Sequence, residues 1–348
     1  MDNPTFRGIP CCVWDDTFHL NGLTVCRRAI VLSEVYLGTL KTSRQVQSIS
    51  THPRGSSSMK SPDQSQRFLF DKHPIRGQYV SLDASWTRIV EQSGLEGRGL
   101  LLLGEALAAM VLLVDTLKIK GSVILQVRGS GPLGLLVVEA NSENQIRGIA
   151  RQAGEITDEM NLAEIFGSDY FVITIKTEGA EPHQGIAPLR GSNFAEALEH
   201  YFATSDQLAT RFWLGCDQET ISGMLLQKLP GKPADEDAWD RLCMLADTLS
   251  PQELKLAELE SLLLRLFHQE EVRLFEPSPI EFFCSCSRER TGAMLLTLGK
   301  PEVLEVLEKE GDVSVTCEFC NQHYRFDSID VEQVFLSADG LKPSTAAH

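Results

Sequence analysis

Four cysteines constrain this chain more than any other feature: Cys284-Ser-Cys286 and, further on, Cys317-Glu-Phe-Cys320. Zn²⁺ takes four soft or borderline ligands in a tetrahedron, and two short cysteine knuckles separated by a stretch of strand and turn can converge on one ion without straining either loop. The CxxC spacing is common. The CxC spacing is not: with one residue between the sulfurs, that pair is also close enough to close a disulfide if the metal is lost. Spacing alone allows two readings, a permanently filled structural zinc ribbon and a metal site that acts as a switch.

The rest of the composition narrows the setting. A chain of 348 residues is long enough for two or three domains. Its formal charge of -16 argues against a surface that tracks phosphates, so nucleic acid is not an expected partner. Nine cysteines in a chain this long do not make a secreted disulfide scaffold, and four of them already have metal-ligand spacing. No uninterrupted apolar stretch of about 18 residues is present, and the first residues lack a charged-then-apolar leader pattern. The expectation is a cytoplasmic protein with no membrane partner.

Residues 1–58 differ in character from the rest of the chain. They hold Cys11, Cys12 and Cys26, an apolar run from Ala29 to Leu40, and a Ser/Thr/Arg-containing stretch of low hydrophobicity that reads as linker or disorder. No basic or His-rich setting lowers the pKa of the CC pair, so its thiols read as bystanders. Asp15, Asp16 and Glu34 spoil the acid-poor pattern of a transit peptide. The expectation is that Met59 is a second, true start.

From Arg67 the pattern becomes orderly. RFLFD and IRGQYVSLD alternate in part and predict strands, and GLLLLGEALAAMVLLVDTLK (99–118) predicts a helix apolar on nearly all sides, buried against a sheet. Gly129, Gly131 and Gly134 form a GxGxxG arrangement. The strand-like LLVVEA after them, with no helical cap, points to a tight hairpin turn needing positive φ rather than to a pyrophosphate loop. FVITIKT (171–177) predicts another strand and FAEALEHYFATS (194–205) a helix. Strands and helices in mixed order make the fold class α+β.

Catalytic constellations are thin. His183 and His200 have Glu181 and Glu196 nearby, but no nucleophile elbow, HExxH or P-loop accompanies them. His183 reads as a loop residue and His200 as a boundary residue, and an enzyme is not expected. Cys216 and Cys243 sit among apolar neighbours and read as small buried hydrophobes. Leu229-Pro-Gly-Lys-Pro233 punctuates the chain. Ser250-Pro251-Gln-Glu253 combines an N-cap, a first-turn proline and a capping-box acid, so a helix starts there. It carries Leu254, Leu259, Leu262, Leu263, Leu266 and Phe267 at helical spacing. Such a stripe is ordinarily core packing, and it is also a surface that neighbouring elements can hide.

EFFCSCSRERTGAMLLTLGKPEV, GDVSVTCEFCNQHYRFD, YFATSDQLATRFWL, the hairpin RGSGPLG and the opening RFLFD together resemble the redox-regulated heat-shock holdase family of bacteria, the 33 kDa chaperonins. The resemblance runs from about Met59 to about Phe335 and leaves 1–58 outside it as a non-family extension. It implies a large α/β chaperone core (59–230), a metastable helical linker (231–283), a small zinc-binding redox-switch domain (284–340) and a tail (341–348). It implies Cys284, Cys286, Cys317 and Cys320 as thiolate ligands of one Zn²⁺ in the reduced form, and disulfides Cys284–Cys286 and Cys317–Cys320 in the oxidised form. Unfolding client proteins are the implied partners, with a monomer when reduced and a homodimer when oxidised. His323 is left out because four sulfurs complete the tetrahedron. Arg288, Arg290 and Arg325 are read as solvated surface or as offsets to the thiolate charge. The competing function is a constitutive zinc-ribbon interaction adaptor in which zinc only stabilises the tail.

Overall fold

Alternating positions from Gln64 onward build an antiparallel hairpin, β1 (Gln64–Phe70) and β2 (Ile75–Leu82), in the computed structural model of the chain. It describes residues 63–117, 119–206 and 208–339; the stretch 1–58 with Cys11, Cys12 and Cys26, the start at Met59 and the tail 341–348 lie outside the described residues. The described chain divides between Phe283 and Cys284 into two compact units.

In the first unit the hairpin is followed by α1 (Ala84–Ser93), α2 (Gly97–Leu117), β3 (Gly121–Arg128), β4 (Leu133–Asn141), β5 (Gln145–Gln152), α3 (Leu162–Phe166), β6 (Tyr170–Thr177), β7 (His183–Pro188) and α4 (Phe194–Tyr201). Then come β8 (Thr210–Cys216), β9 (Ile221–Lys228), α5 (Ala238–Ala246), α6 (Pro251–Leu256), α7 (Leu259–Phe267), β10 (Val272–Leu274), β11 (Ser278–Pro279) and β12 (Glu281–Phe282). One sheet has the order β10-β1-β2-β9-β8, with β11 also on β1; the other has β12-β5-β4-β3-β6-β7. Every pairing is antiparallel except β12 with β5.

α2 packs against strands of both sheets, which is why it carries no polar face. It is long and apolar enough to cross a membrane, yet 83% of its apolar window is buried inside the protein, as a core helix is. The strand alternation does the rest. Val80 and Leu82 on β2 and Leu225 on β9 join the core around α2, while Tyr79, Met224 and Leu226 point the other way, into a second core closed by α5, α6 and α7. All six apolar residues of the stripe, from Leu254 to Phe267, are buried there.

Three expectations are corrected. The segment from Ser250 is two helices: Ala257 and Glu258 are extended, with ψ of 137° and 140°, and α7 restarts at Leu259. The Tyr79 hydroxyl lies 3.2 and 3.4 Å from the carbonyls of Leu254 and Ala257 and donates to them, giving the end of α6 a hydrogen-bond partner that no local pattern encodes. The helix expected over 194–205 is α only to Tyr201 and passes into a π turn over Phe202–Asp206. The glycines at 129, 131 and 134 do form a hairpin turn, but none of them has positive φ. Their role is close approach: a Cβ on Gly129 would lie 2.1 Å from the Phe166 carbonyl oxygen, and one on Gly131 2.4 Å from that of Ile165. The turn seats on the end of α3, with Gly131 N–H donating to Phe166 O at 2.9 Å.

The second unit comprises α8 (Arg288–Leu298), α9 (Lys300–Glu310), the hairpin β13 (Val313–Thr316) and β14 (His323–Phe326), and α10 (Ser328–Asp339). The span between the knuckles therefore contains two helices as well as the expected strand. Its buried apolar cluster is Leu295, Val303, Val313, Phe326 and Val331, and Phe319 in the second knuckle is buried as well.

Candidate metal centre

Two local devices fix the knuckles. Ser287 caps α8 by accepting from Arg290 N–H at 3.2 Å, which places Cys284 and Cys286 on the chain just before the helix. Arg290 then reaches back, its Nη1 donating to the Ser285 carbonyl at 3.1 Å and the Ser285 hydroxyl at 2.7 Å, so the residue between the two sulfurs is held at both of its oxygens. The second knuckle is the tip of the β13–β14 hairpin, beyond the last pair Thr316–His323. Cys317 N–H donates to Gln322 O at 2.9 Å, and Asn321 N–H to Cys317 O at 2.7 Å. Asn321 turns the chain with φ of 55°, a left-handed conformation that asparagine tolerates better than most residues.

The four Sγ atoms lie within 4.8 Å of one another, the one such convergence of His, Cys, Asp or Glu ligand atoms among the described residues. Cys284 and Cys317 are 3.6 Å apart at sulfur, Cys286 and Cys320 3.3 Å. With Zn–S bonds of about 2.3 Å, a tetrahedron has edges of about 3.8 Å, so these sulfurs stand close to the spacing a four-thiolate zinc site needs. All four are thiols rather than disulfides. Cys317 is buried and the other three are partly exposed, so the group can be reached by small solutes at one side.

Tyr324 supports the cluster in a way that cysteine spacing does not disclose. Its hydroxyl donates to Cys286 Sγ at 3.2 Å. Burial works against ionising Cys286, but the hydrogen bonds from Tyr324 and the neighbouring cysteines outweigh it and hold that thiol below its usual range. The same bond to Cys286, with burial added, pushes the Tyr324 phenol up. A signal was available: β14 alternates, and Tyr324 shares its inward face with the buried Phe326.

The arginines make bracing contacts within the unit. Arg288 pairs with Asp330 at 2.6 Å, donates to Arg325 O at 2.8 Å and stacks 4.5 Å over the Phe326 ring, while Arg325 pairs with Asp312. His323 is exposed and engages Thr316 Oγ1 at 2.8 Å, outside the sulfur group. In the first unit Glu196 accepts from Ser192 N–H at 2.9 Å at the start of α4, while His183 lies exposed on β7 and His200 in the last turn of α4. Burial pushes the Cys243 thiol up to about 12 and raises that of Cys216 as well, so both are kept protonated.

The Hsp33 protein family matches residues 63–327. The chain is 44% identical over 277 residues to the 33 kDa chaperonin of Nitrosococcus oceani, covering 80% of this chain and 96% of that protein. It is 43% identical over 297 residues to the 33 kDa chaperonin of Pseudomonas aeruginosa, covering 83% and 100%. Its structure is similar to the crystal structure of the 33 kDa chaperonin of Thermotoga maritima, with a TM-score of 0.69 at 25% identity, over 80% of this chain and 99% of the other.

Proposed function

Given that the chain belongs to the Hsp33 family of chaperones, we propose that it is an ATP-independent holdase of the cytoplasm, held inactive by zinc at Cys284, Cys286, Cys317 and Cys320 and activated when those sulfurs are oxidised. The observation that carries this reading is the convergence of the four Sγ atoms within 4.8 Å in a unit whose apolar cluster has five buried side chains, with Phe319 buried outside it, among the described residues. Bound Zn²⁺ supplies folding free energy, about 10–16 kcal/mol in zinc-finger peptides. A domain of this size rarely holds that much in reserve, so the sulfurs and the fold stand or fall together.

Thiol chemistry sets the chain's own steps. Two thiolates of one knuckle give up two electrons to a peroxide and join as a disulfide; the peroxide takes up those electrons and two protons and leaves as two waters. Repeated at both knuckles, this gives Cys284–Cys286 and Cys317–Cys320 and removes all four ligands. Residues 284–340 then unfold, and 231–283 go with them as a metastable linker. The stripe from Leu254 to Phe267, together with the Phe68, Phe70, Tyr79 and Leu226 face it covers, becomes available to unfolding clients and to a second copy. The reduced protein is monomeric and the oxidised one a homodimer. The seating of Gly129 and Gly131 against α3 supports the ATP-independent reading, since that turn is occupied by backbone.

The test is light scattering of a heat-unfolding client with the protein added before and after peroxide treatment, with released zinc read by a chromogenic chelator. Suppression that arises only as about one zinc per chain leaves is the expected result. Zinc retained, or zinc lost with no gain in suppression, overturns it in favour of an adaptor whose zinc is purely structural.

A further inference from the structure

The turn between β1 and β2, residues 71–74, holds both ends of the helical segment α5–α7. On the incoming side Leu229 N–H donates to Pro74 O at 2.6 Å and Ala234 N–H to Lys72 O at 3.2 Å; on the outgoing side Asp71 N–H donates to Glu271 O at 2.9 Å, after which β10 pairs with β1. Side chains close the same junction. Glu270, in the turn that ends α7, sets Oε2 3.3 Å from His73 Nε2. Its other oxygen accepts from Arg241 of α5, at 3.0 Å from Nη2 and 3.2 Å from Nε, and Arg241 also pairs with Asp235. The His73 and Glu270 side chains are only 4% and 8% exposed, whereas the flanking pair Lys72–Glu271 is 56% and 64% exposed. Among the described residues His73 Nδ1 has no partner, so Glu270 is what fixes the ring.

We propose that Glu270 is the latch of the α5–α7 cap: one buried carboxylate that joins the end of α7 to α5 and to the β1–β2 turn, and whose separation is the step that lets the cap leave the sheet. The proposal deepens the reading of 231–283 as a segment released on activation and rests on it. The apolar contact beneath the cap is non-directional and supplies most of the attraction. It does not decide where opening begins. Because both ends of the segment are pinned at one turn, separation in the middle leaves a closed loop that falls back, while separation at Glu270 unties α5 from the end of α7 and leaves only backbone bonds to hold the two ends at the turn. Removing the charge leaves Arg241 without one of its two carboxylates and takes away the carboxylate that the buried His73 Nε2 faces, which is the costly way to break a buried contact.

Hydrogen exchange read by mass spectrometry, on the reduced full chain supplied with Zn²⁺ and without client or oxidant, tests the latch. Glu270→Gln, which keeps size and hydrogen-bonding capacity, is expected to raise exchange across 238–267 on the order of 100-fold while 121–177 in the second sheet is unchanged. Arg241→Lys, which keeps the charge but loses the fork, is expected to give a smaller rise in the same peptides. Glu260→Gln, on the exposed face of α7, is expected to give none. Unchanged protection of 238–267 in both latch variants, or a rise shared equally by 121–177, overturns the proposal. Client suppression by reduced Glu270→Gln is measured separately. Faster exchange without suppression leaves the latch standing and counts against the holdase reading instead.

Discussion

Glu105 is a carboxylic acid on a helix that is otherwise core. It accepts from Phe194 N–H at 3.2 Å at the start of α4, and burial pushes its pKa from an ordinary 4.5 up to about 7, against that hydrogen bond and the nearby Arg98 charge. The folded state therefore binds the proton more tightly than the unfolded state, so the contribution of Glu105 to stability falls as pH rises from about 4.5 through about 7. Glu105→Gln is expected to remove that slope. Urea unfolding followed by circular dichroism should show the variant gaining about 2–3 kcal/mol on the wild type between pH 4.5 and 7.5, and parallel pH profiles would refute the assignment. The residue scale is also where the sequence was most legible at the metal centre. A knuckle is a local object, so the spacing of Cys284, Cys286, Cys317 and Cys320 named the group that the structure brings together. The Tyr324 and Arg290 contacts depend on strand register and on a helix cap, and spacing carries neither.

At the scale of elements, legibility depended on the range of the interactions that decide each boundary. α2 was readable because its composition, apolar on nearly all sides, is itself the cause of its burial between two sheets. The start of α6 was readable because Ser250 and Glu253 make a reciprocal cap within four residues. The break after α6 was not, because Tyr79, far away on β2, supplies the hydroxyl that stabilises it. The short strands β10, β11 and β12 gave no periodic signal, since two or three residues are too few for an alternation to register. The leucine stripe does pack as core, and its energetics can be tested one residue at a time. The Phe267 ring meets that of Phe70 edge-on with centroids 5.1 Å apart, and Phe267→Ala is expected to cost about 3–5 kcal/mol in urea unfolding. Leu256 is 79% exposed on the neighbouring helix, and Leu256→Ala should stay within about 0.5 kcal/mol. Equal costs at the two positions would mean that α6 and α7 do not present the faces described.

At the scale of the molecule, the two units differ in what holds them. Residues 63–283 carry two apolar cores, one around α2 and one beneath α5–α7, and among the described residues they hold no metal-ligand cluster. Residues 284–339 have an apolar cluster of five buried side chains, with Phe319 buried outside it, and four converging sulfurs that could hold a metal ion and that repel one another when ionised. Removing the metal with a chelator while the thiols are kept reduced separates the contribution of the ion from that of oxidation. The expected outcome in hydrogen exchange is loss of protection in α8, β13 and β14, with the strands at 121–177 still protected, and recovery on adding Zn²⁺ back. After peroxide the same loss should appear, but Zn²⁺ alone should not reverse it, because closed disulfides offer no thiolates; a thiol reductant and then Zn²⁺ should. If α8 and the β13–β14 hairpin stay protected without metal, hydrogen bonds and core suffice to fold this unit. Oxidation would then have no unfolding step to trigger, and the cysteines would be ligands in a structural ribbon.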